Sequence, residues 1–197
     1  MIIRLSIMLK APRLGYVKTR LAAEIGAPHA LRLYRVLAAR TLAAARTLGT
    51  PIVIWYSPAE AAAEMQRWLG AEWDFRPQAS GDLGARLAAA AHSVPSGDAW
   101  LCVGGDCPDL TPEILRQAIE ALARSDVVLG PTLDGGYYLV GARAPVPDLF
   151  SGMPWSSHAL LQATRDRIDS TGLMHEELPV LRDVDTAADA RAAGLLT

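Results

Sequence analysis

The chain has 197 residues, 51% of them hydrophobic and 20% charged, which is enough apolar material for a sizeable core and too much for a disordered chain. Its 19 basic and 21 acidic residues leave a formal net charge of −2, and no basic cluster is denser than Arg165-Asp166-Arg167, which argues against a nucleic-acid partner. Cys102 and Cys107 are too few for a disulfide framework or a four-cysteine zinc site, and no apolar run reaches membrane-spanning length. Arg4 and Lys10 interrupt the apolar start and no small-residue cleavage site follows, so the expectation is one cytoplasmic domain over residues 1–197. No membrane association is expected, and oligomerisation is left open.

Residues Ile2 to Leu9 read as a short buried strand. Gly15 and Lys18 then lead into a helix start, and from His29 to Leu48 apolar residues recur at helical spacing. A strand lies between Pro51 and Pro58, followed by a helix that Gly70 stops. WDFRPQ is a short strand, and a helix starts after Asp82 as cap. AWLCVGGD is a buried strand, and Thr111 caps a helix with Pro112 in its first turn. DVVLGP and GYYLVGA are strands joined by the turn TLDGG; later helices start near Ser156, as cap, and near Thr186. Strands alternating with helices predict an α/β fold with a mostly parallel sheet covered on both faces. In such sheets ligands bind beyond the carboxyl ends of strands.

The loop KAPRLGYVKTR follows the first strand, where an anion would meet backbone amides and a helix N-terminus. A Walker A loop is excluded, because it needs glycine where Val17 and Pro12 stand, and no G-x-G-x-x-G follows any strand. What remains is Gly15 with Lys10, Lys18 and Arg20. These residues suit a di- or triphosphate, since cations at a helix start are unfavourable unless an anion is near. The plainer reading is a solvated basic helix start.

Asp106 follows a buried strand and Gly104-Gly105, a position from which a carboxylate holds Mg²⁺ against phosphate. A turn aspartate is the alternative. A metal on Asp106 needs a second carboxylate, for which Asp183 and Asp185 are the best candidates. Thr186-x-x-Asp189 nevertheless reads as a capping box that would involve Asp185 as well. Asp134-Gly135-Gly136 is a hairpin turn that would let a substrate approach the backbone. Tyr137 and Tyr138 point to opposite faces, so at most one lines a site. Trp155, in a Pro/Gly-rich passage, offers a stacking surface. Cys107 lies in acidic surroundings with no neighbouring histidine and reads as packed rather than reactive. His29, His92, His158 and His175 form no ligand pair.

Taken in order, KAPRLGYVKTRLA, GDLGARL, GGDCPDL, GPTLDGGYYLVG, PWSSHALLQAT and DVDT resemble a bacterial family of GT-A-fold, nucleotide-diphospho-sugar transferase-like proteins. The resemblance runs from Lys10 to Asp189 and extends to phospholactate guanylyltransferases and, more distantly, molybdopterin nucleotidyltransferases. It implies a GT-A (Rossmann-like) three-layer α/β/α fold with a mixed sheet. By position it places Lys18 and Arg20 on phosphates, and Gly81 and Gly84 beside the base. It places Asp106 and Asp185 on Mg²⁺ or Mn²⁺, and Asp134, Gly135, Gly136 and Trp155 on the acceptor side. One departure is that Asp106 is followed by Cys107, Pro108 and Asp109 and not by the Asp-x-Asp of many glycosyltransferases.

The partners expected are a nucleoside triphosphate or a nucleoside-diphosphate sugar, with a small-molecule acceptor. A nucleotidyltransferase must neutralise a triphosphate and a departing pyrophosphate, so Lys18 and Arg20 favour nucleotidyl transfer. Catalysis would then rest on Lys18, Arg20 and Asp106, with Asp134 as a possible orienter or base for the acceptor. Glycosyl transfer is the alternative, and a non-catalytic nucleotide-binding domain is the second.

Overall fold

The computed structural model describes residues 1–196. Seven strands form one sheet: β1 (Ile3–Lys10), β2 (Ile52–Ser57), β3 (Asp74–Pro77), β4 (Ala99–Gly104), β5 (Val127–Pro131), β6 (Tyr137–Arg143) and β7 (His175–Glu177). Their spatial order is β3-β2-β1-β4-β6-β5-β7, and β6 alone runs antiparallel to its neighbours. The helices are α1 (Thr19–Ile25), α2 (Ala27–Arg46), α3 (Ala62–Leu69), α4 (Leu83–His92), α5 (Pro112–Arg124), α6 (Leu160–Ser170) and α7 (Ala187–Ala192).

Two apolar layers cover the sheet, giving the expected three-layer α/β/α arrangement. On one face Leu5, Ile7 and Leu9 of β1 pack with Ala38 and Leu42 of α2, Met65 of α3, and Leu115 and Leu122 of α5. On the other face Trp55, Trp100 and Val140 pack with Leu87 of α4 and with Leu161 and Ile168 of α6. The period of two along β1 sends Ser6 to this second face, where a polar side chain needs partners. It has two: the indole N–H groups of Trp55 and Trp100 donate to Ser6 Oγ at 3.0 and 2.9 Å. A third cluster seats α7 against α1 and α2 through Leu21, Ala30, Leu37, Val184 and Ala187.

Several expected caps are in place. Asp82 accepts from Ala85 N–H, Thr111 from Ile114 N–H, and Thr186 with Asp189 forms a complete capping box. The Asp134-Gly135-Gly136 turn joins antiparallel β5 and β6. Ser156 is a correction: α6 begins at Leu160, and Ser156 lies outside it at φ 61°. Ser157 accepts from Ala159 N–H there, so side-chain hydrogen bonding in the turn outcompetes an earlier helix start. The edge strand β7 was not anticipated, because its three residues are polar and carry no apolar alternation.

The chain winds outward from β1 to β2 and β3, then returns to β4 on the other side of β1. That reversal opens a crevice beyond the carboxyl ends of β1 and β4. Lys10 and Gly104 end these two strands, and the basic loop and Asp106 follow them. Among the described residues no helix is long and apolar enough to cross a membrane.

Candidate active site

The loop after β1 turns at Gly15 (φ 72°) and reaches α1 at Lys18, whose backbone is left-handed at φ 49° and ψ 48°. A non-glycine residue held there costs about 1–2 kcal/mol. The side chain it aims is 4% exposed, with Nζ 2.8 Å from Asp106 Oδ1 and 3.0 Å from Asp185 Oδ1. Burial pulls the Lys18 pKa down, but the two carboxylates outweigh it and hold the ammonium above its ordinary value. Arg20 pairs with the other oxygen of Asp185. The basic pair at the helix start is therefore neutralised by aspartates from two distant parts of the chain.

Asp185 arrives by backbone pairing. Val184 N–H donates to Asp106 carbonyl oxygen at 3.1 Å, and the Val184 side chain is fully buried. Its neighbours Asp183 and Asp185 flank this anchor. It is Asp185 that shares the Lys18 ammonium with Asp106. Burial pushes the Asp183 carboxyl up to about 6, helped by Asp134 and Asp185 nearby. Cys107 is also buried, and desolvation together with Asp183 raises its thiol pKa, which leaves it unreactive.

Beside this cluster lies a cavity of about 500 Å³. Lys10, Lys18, Arg20, Asp106 and Asp185 line one part, and Gln78, Leu83, Arg86 and Leu87 line another. Tyr34 pins the end of β1 by donating to Lys10 carbonyl oxygen and accepting from Lys10 N–H, each at 2.8 Å. Gln78, Arg86 and Tyr34 were not singled out from the sequence. The available signal was a polar residue, Gln78, directly after a strand end.

Other expected residues lie elsewhere. Gly81 turns the loop before α4 at φ 106°, whereas Gly84 is buried in α4 and is not among the residues that line the cavity. A Cβ on Gly84 would come within 2.7 Å of Phe150 carbonyl oxygen and 2.8 Å of Trp155 Nε1, so this glycine lets α4 pack on the 150–155 passage. Gly84→Ala is expected to cost about 1–3 kcal/mol by overpacking. A lower thermal midpoint checks this, and an unchanged midpoint would contradict the close packing.

Asp134 is exposed, and its Oδ1 accepts from Thr132 Oγ at 2.6 Å and Gly136 N–H at 3.1 Å, which makes it a turn residue. Gly135 is required because a Cβ would fall 2.2 Å from His158 carbonyl oxygen. Half-buried Trp155 packs edge-on against Tyr137, with ring centroids 6.5 Å apart. Asp134, Gly135, Gly136 and Trp155 thus gather around the β5–β6 turn and the passage before α6; none of the four lines the cavity, but Tyr137, which follows Gly136 and packs on Trp155, does. Tyr137 and Tyr138 pack in opposite layers, as alternation requires, yet both also line the cavity, which corrects the expectation that at most one would: the cavity reaches the start of β6, where both stand.

Residues 40–157 match the family described as "Uncharacterized protein conserved in bacteria (DUF2064)". The chain belongs to this family. The DUF2064 protein is 30% identical over 151 residues to a phosphoenolpyruvate guanylyltransferase from Chloroflexus aggregans (strain MD-66 / DSM 9485), covering 73% of this chain and 74% of that one. Its structure is similar to that of a nucleotide-diphospho-sugar transferase-like protein from Desulfovibrio desulfuricans G20, with TM-score 0.92 and 32% identity over 98% of this chain and 86% of the other. The fold is also similar to the Rv0371c protein of Mycobacterium tuberculosis H37Rv in complex with manganese, with TM-score 0.62 and 20% identity over 98% and 97% of the two chains. The fold is accordingly that of nucleotidyl and sugar transferases.

Proposed function

We propose that this DUF2064 protein is a divalent-metal-dependent nucleotidyltransferase that moves a nucleotidyl group from a nucleoside triphosphate to a small acceptor, from one domain spanning the chain. The observation that carries the reading is the convergence of Asp106 and Asp185 on one point, with the Lys18 ammonium as their shared counter-ion.

Among the described residues no three His, Cys, Asp or Glu side chains gather as a metal cluster. Two carboxylates fit Mg²⁺ or Mn²⁺ that completes its shell with phosphate oxygens and water. Asp106 and Asp185 aim at a position that already accepts a cation, so the donor set fits the ion. When bound, it supplies charge neutralisation on the donor phosphates.

The residues of the chain supply the rest. Lys18 exchanges its carboxylate partners for phosphate oxygens as the triphosphate enters. Arg20 pairs with the charge that develops on the leaving group. An acceptor oxygen attacks the α-phosphorus, the bond to the bridging oxygen breaks, and pyrophosphate leaves with the electron pair. Positioning and charge stabilisation carry catalysis of this kind.

The resemblance to the Desulfovibrio protein favours sugar transfer as a second reading. The two cations beside the carboxylates and the guanylyltransferase relative favour nucleotidyl transfer. Thermal shift with Mg²⁺ against matched panels of nucleoside triphosphates and nucleoside-diphosphate sugars separates them. Stabilisation by a triphosphate is expected, followed by pyrophosphate release once small phosphorylated acids such as phosphoenolpyruvate are added. Stabilisation by sugar nucleotides alone would overturn the proposal.

A further inference from the structure

The nucleotide reading gives tasks to Lys18 and Arg20 but none to Arg86, a further cation in the cavity wall. Arg86, in the first turn of α4, lines the cavity and makes no ion pair among the described residues. Its guanidinium is nevertheless held in place: Nε donates to Gly81 carbonyl oxygen and Nη1 to Gln78 Oε1, each at 3.2 Å. Gln78 is itself fixed, because its amide nitrogen donates to Leu9 and Trp55 carbonyl oxygens at 3.2 and 2.9 Å. Those carbonyls stand near the carboxyl ends of β1 and β2, so the sheet sets the orientation of Gln78, and Gln78 sets that of Arg86.

A guanidinium carries five N–H donors, and Arg86 spends two. The three left on Nη1 and Nη2 include an adjacent pair, a fork that suits two neighbouring acceptors. The place of this fork argues against phosphate. Phosphates belong beside Lys18, Arg20 and Asp106, at the crevice between β1 and β4. Gln78 anchors Arg86 on the β2 side, one strand further out, where Leu83 and Leu87 of α4 add apolar surface to the cavity wall. Leu83 contributes to that wall and is 44% exposed, an uncovered apolar surface against which a flat ring can lie.

We propose that Arg86, oriented by Gln78, recognises the O6 and N7 acceptors of a guanine base, which makes the donor GTP. This rests on the nucleotidyltransferase reading above. Guanine presents two adjacent acceptors on that edge, whereas adenine presents one acceptor and one donor and leaves half of the fork unpaired. Gln78 is a positioning residue and Arg86 the specificity-determining one.

The test is calorimetric binding of GTP, 7-deaza-GTP and ATP in Mg²⁺ to the wild-type chain, Arg86→Ala and Arg86→Lys. Wild type is expected to prefer GTP over ATP by about 10- to 100-fold, and to bind 7-deaza-GTP, which lacks the N7 acceptor, about tenfold more weakly than GTP. In Arg86→Ala both ratios fall to about one. Arg86→Lys keeps the charge without the fork, so it retains triphosphate affinity and loses the 7-deaza discrimination, and it serves if the alanine variant does not fold. Equal weakening of GTP and ATP in Arg86→Ala would make Arg86 a phosphate ligand and overturn the proposal. A wild-type preference for ATP, or equal binding of GTP and 7-deaza-GTP, would overturn it too while leaving nucleotidyl transfer intact. Binding of neither GTP nor ATP would overturn this proposal, and stabilisation by no member of the full triphosphate panel would sink nucleotidyl transfer with it.

Discussion

Asp106→Ala is expected to lower turnover by about 10²–10³-fold, the scale on which removal of one preorganised charge-stabilising group acts. The fold should survive. The Asp106 side chain is 45% exposed, so its loss opens no core cavity, and Lys18 keeps Asp185 at 3.0 Å. Steady-state turnover with a triphosphate, beside a thermal midpoint close to that of wild type, checks the prediction. Full activity in the variant would remove Asp106 from the metal site.

Lys18→Ala is expected to act in two opposite directions. The ammonium occupies the point that both carboxylates address, so it competes with a divalent cation for them. Without it, Asp106 and Asp185 face each other with only Arg20, bound to Asp185, to compensate. Like charges so placed raise affinity for a divalent cation. Mn²⁺ should therefore bind more tightly to Lys18→Ala than to wild type when no nucleotide is present. Turnover should nevertheless fall about 10²-fold, because the polyphosphate loses its buried cation. Both carboxylates are partly exposed, so the repulsion in the metal-free variant is screened and its stability cost stays near 1 kcal/mol. Mn²⁺ titration by electron paramagnetic resonance, paired with kinetics, reads both effects. Weaker Mn²⁺ binding in the variant would show that Lys18 supports the cation and does not compete with it.

Much of this arrangement was legible in the chain before its structure. Short apolar runs ended by Lys10 and Gly104-Gly105 marked the two strands that flank the crevice, and the rule about strand ends then placed the basic loop and Asp106 together. Asp185 was harder. Spacing alone could not separate a capping aspartate from a site aspartate, because Thr186 and Asp189 complete a capping box immediately after it. Only the long-range bond from Val184 to the Asp106 backbone brings it to Lys18. Gly84 was ambiguous for a similar reason. A glycine near a loop suggests close approach of some group, but which group depends on the helix face that the tertiary packing buries. Here it is Phe150 and Trp155. Asp134 illustrates how turn chemistry and a site role overlap in one residue, since Oδ1 of its carboxylate is engaged by its own turn. Gln78 and Arg86 left almost no local signal. Their significance lies in a hydrogen-bond chain from two strand ends through Gln78 to a helix, which joins residues far apart in sequence.

The most direct measurement of the proposed site is Mn²⁺ and GTP binding, each measured with and without the other, to wild type, Asp106→Ala and Asp185→Ala. In wild type the two ligands should strengthen each other, and in both variants that mutual gain should fall by at least about tenfold. Undiminished coupling in either variant would contradict a metal–triphosphate site built on Asp106 and Asp185.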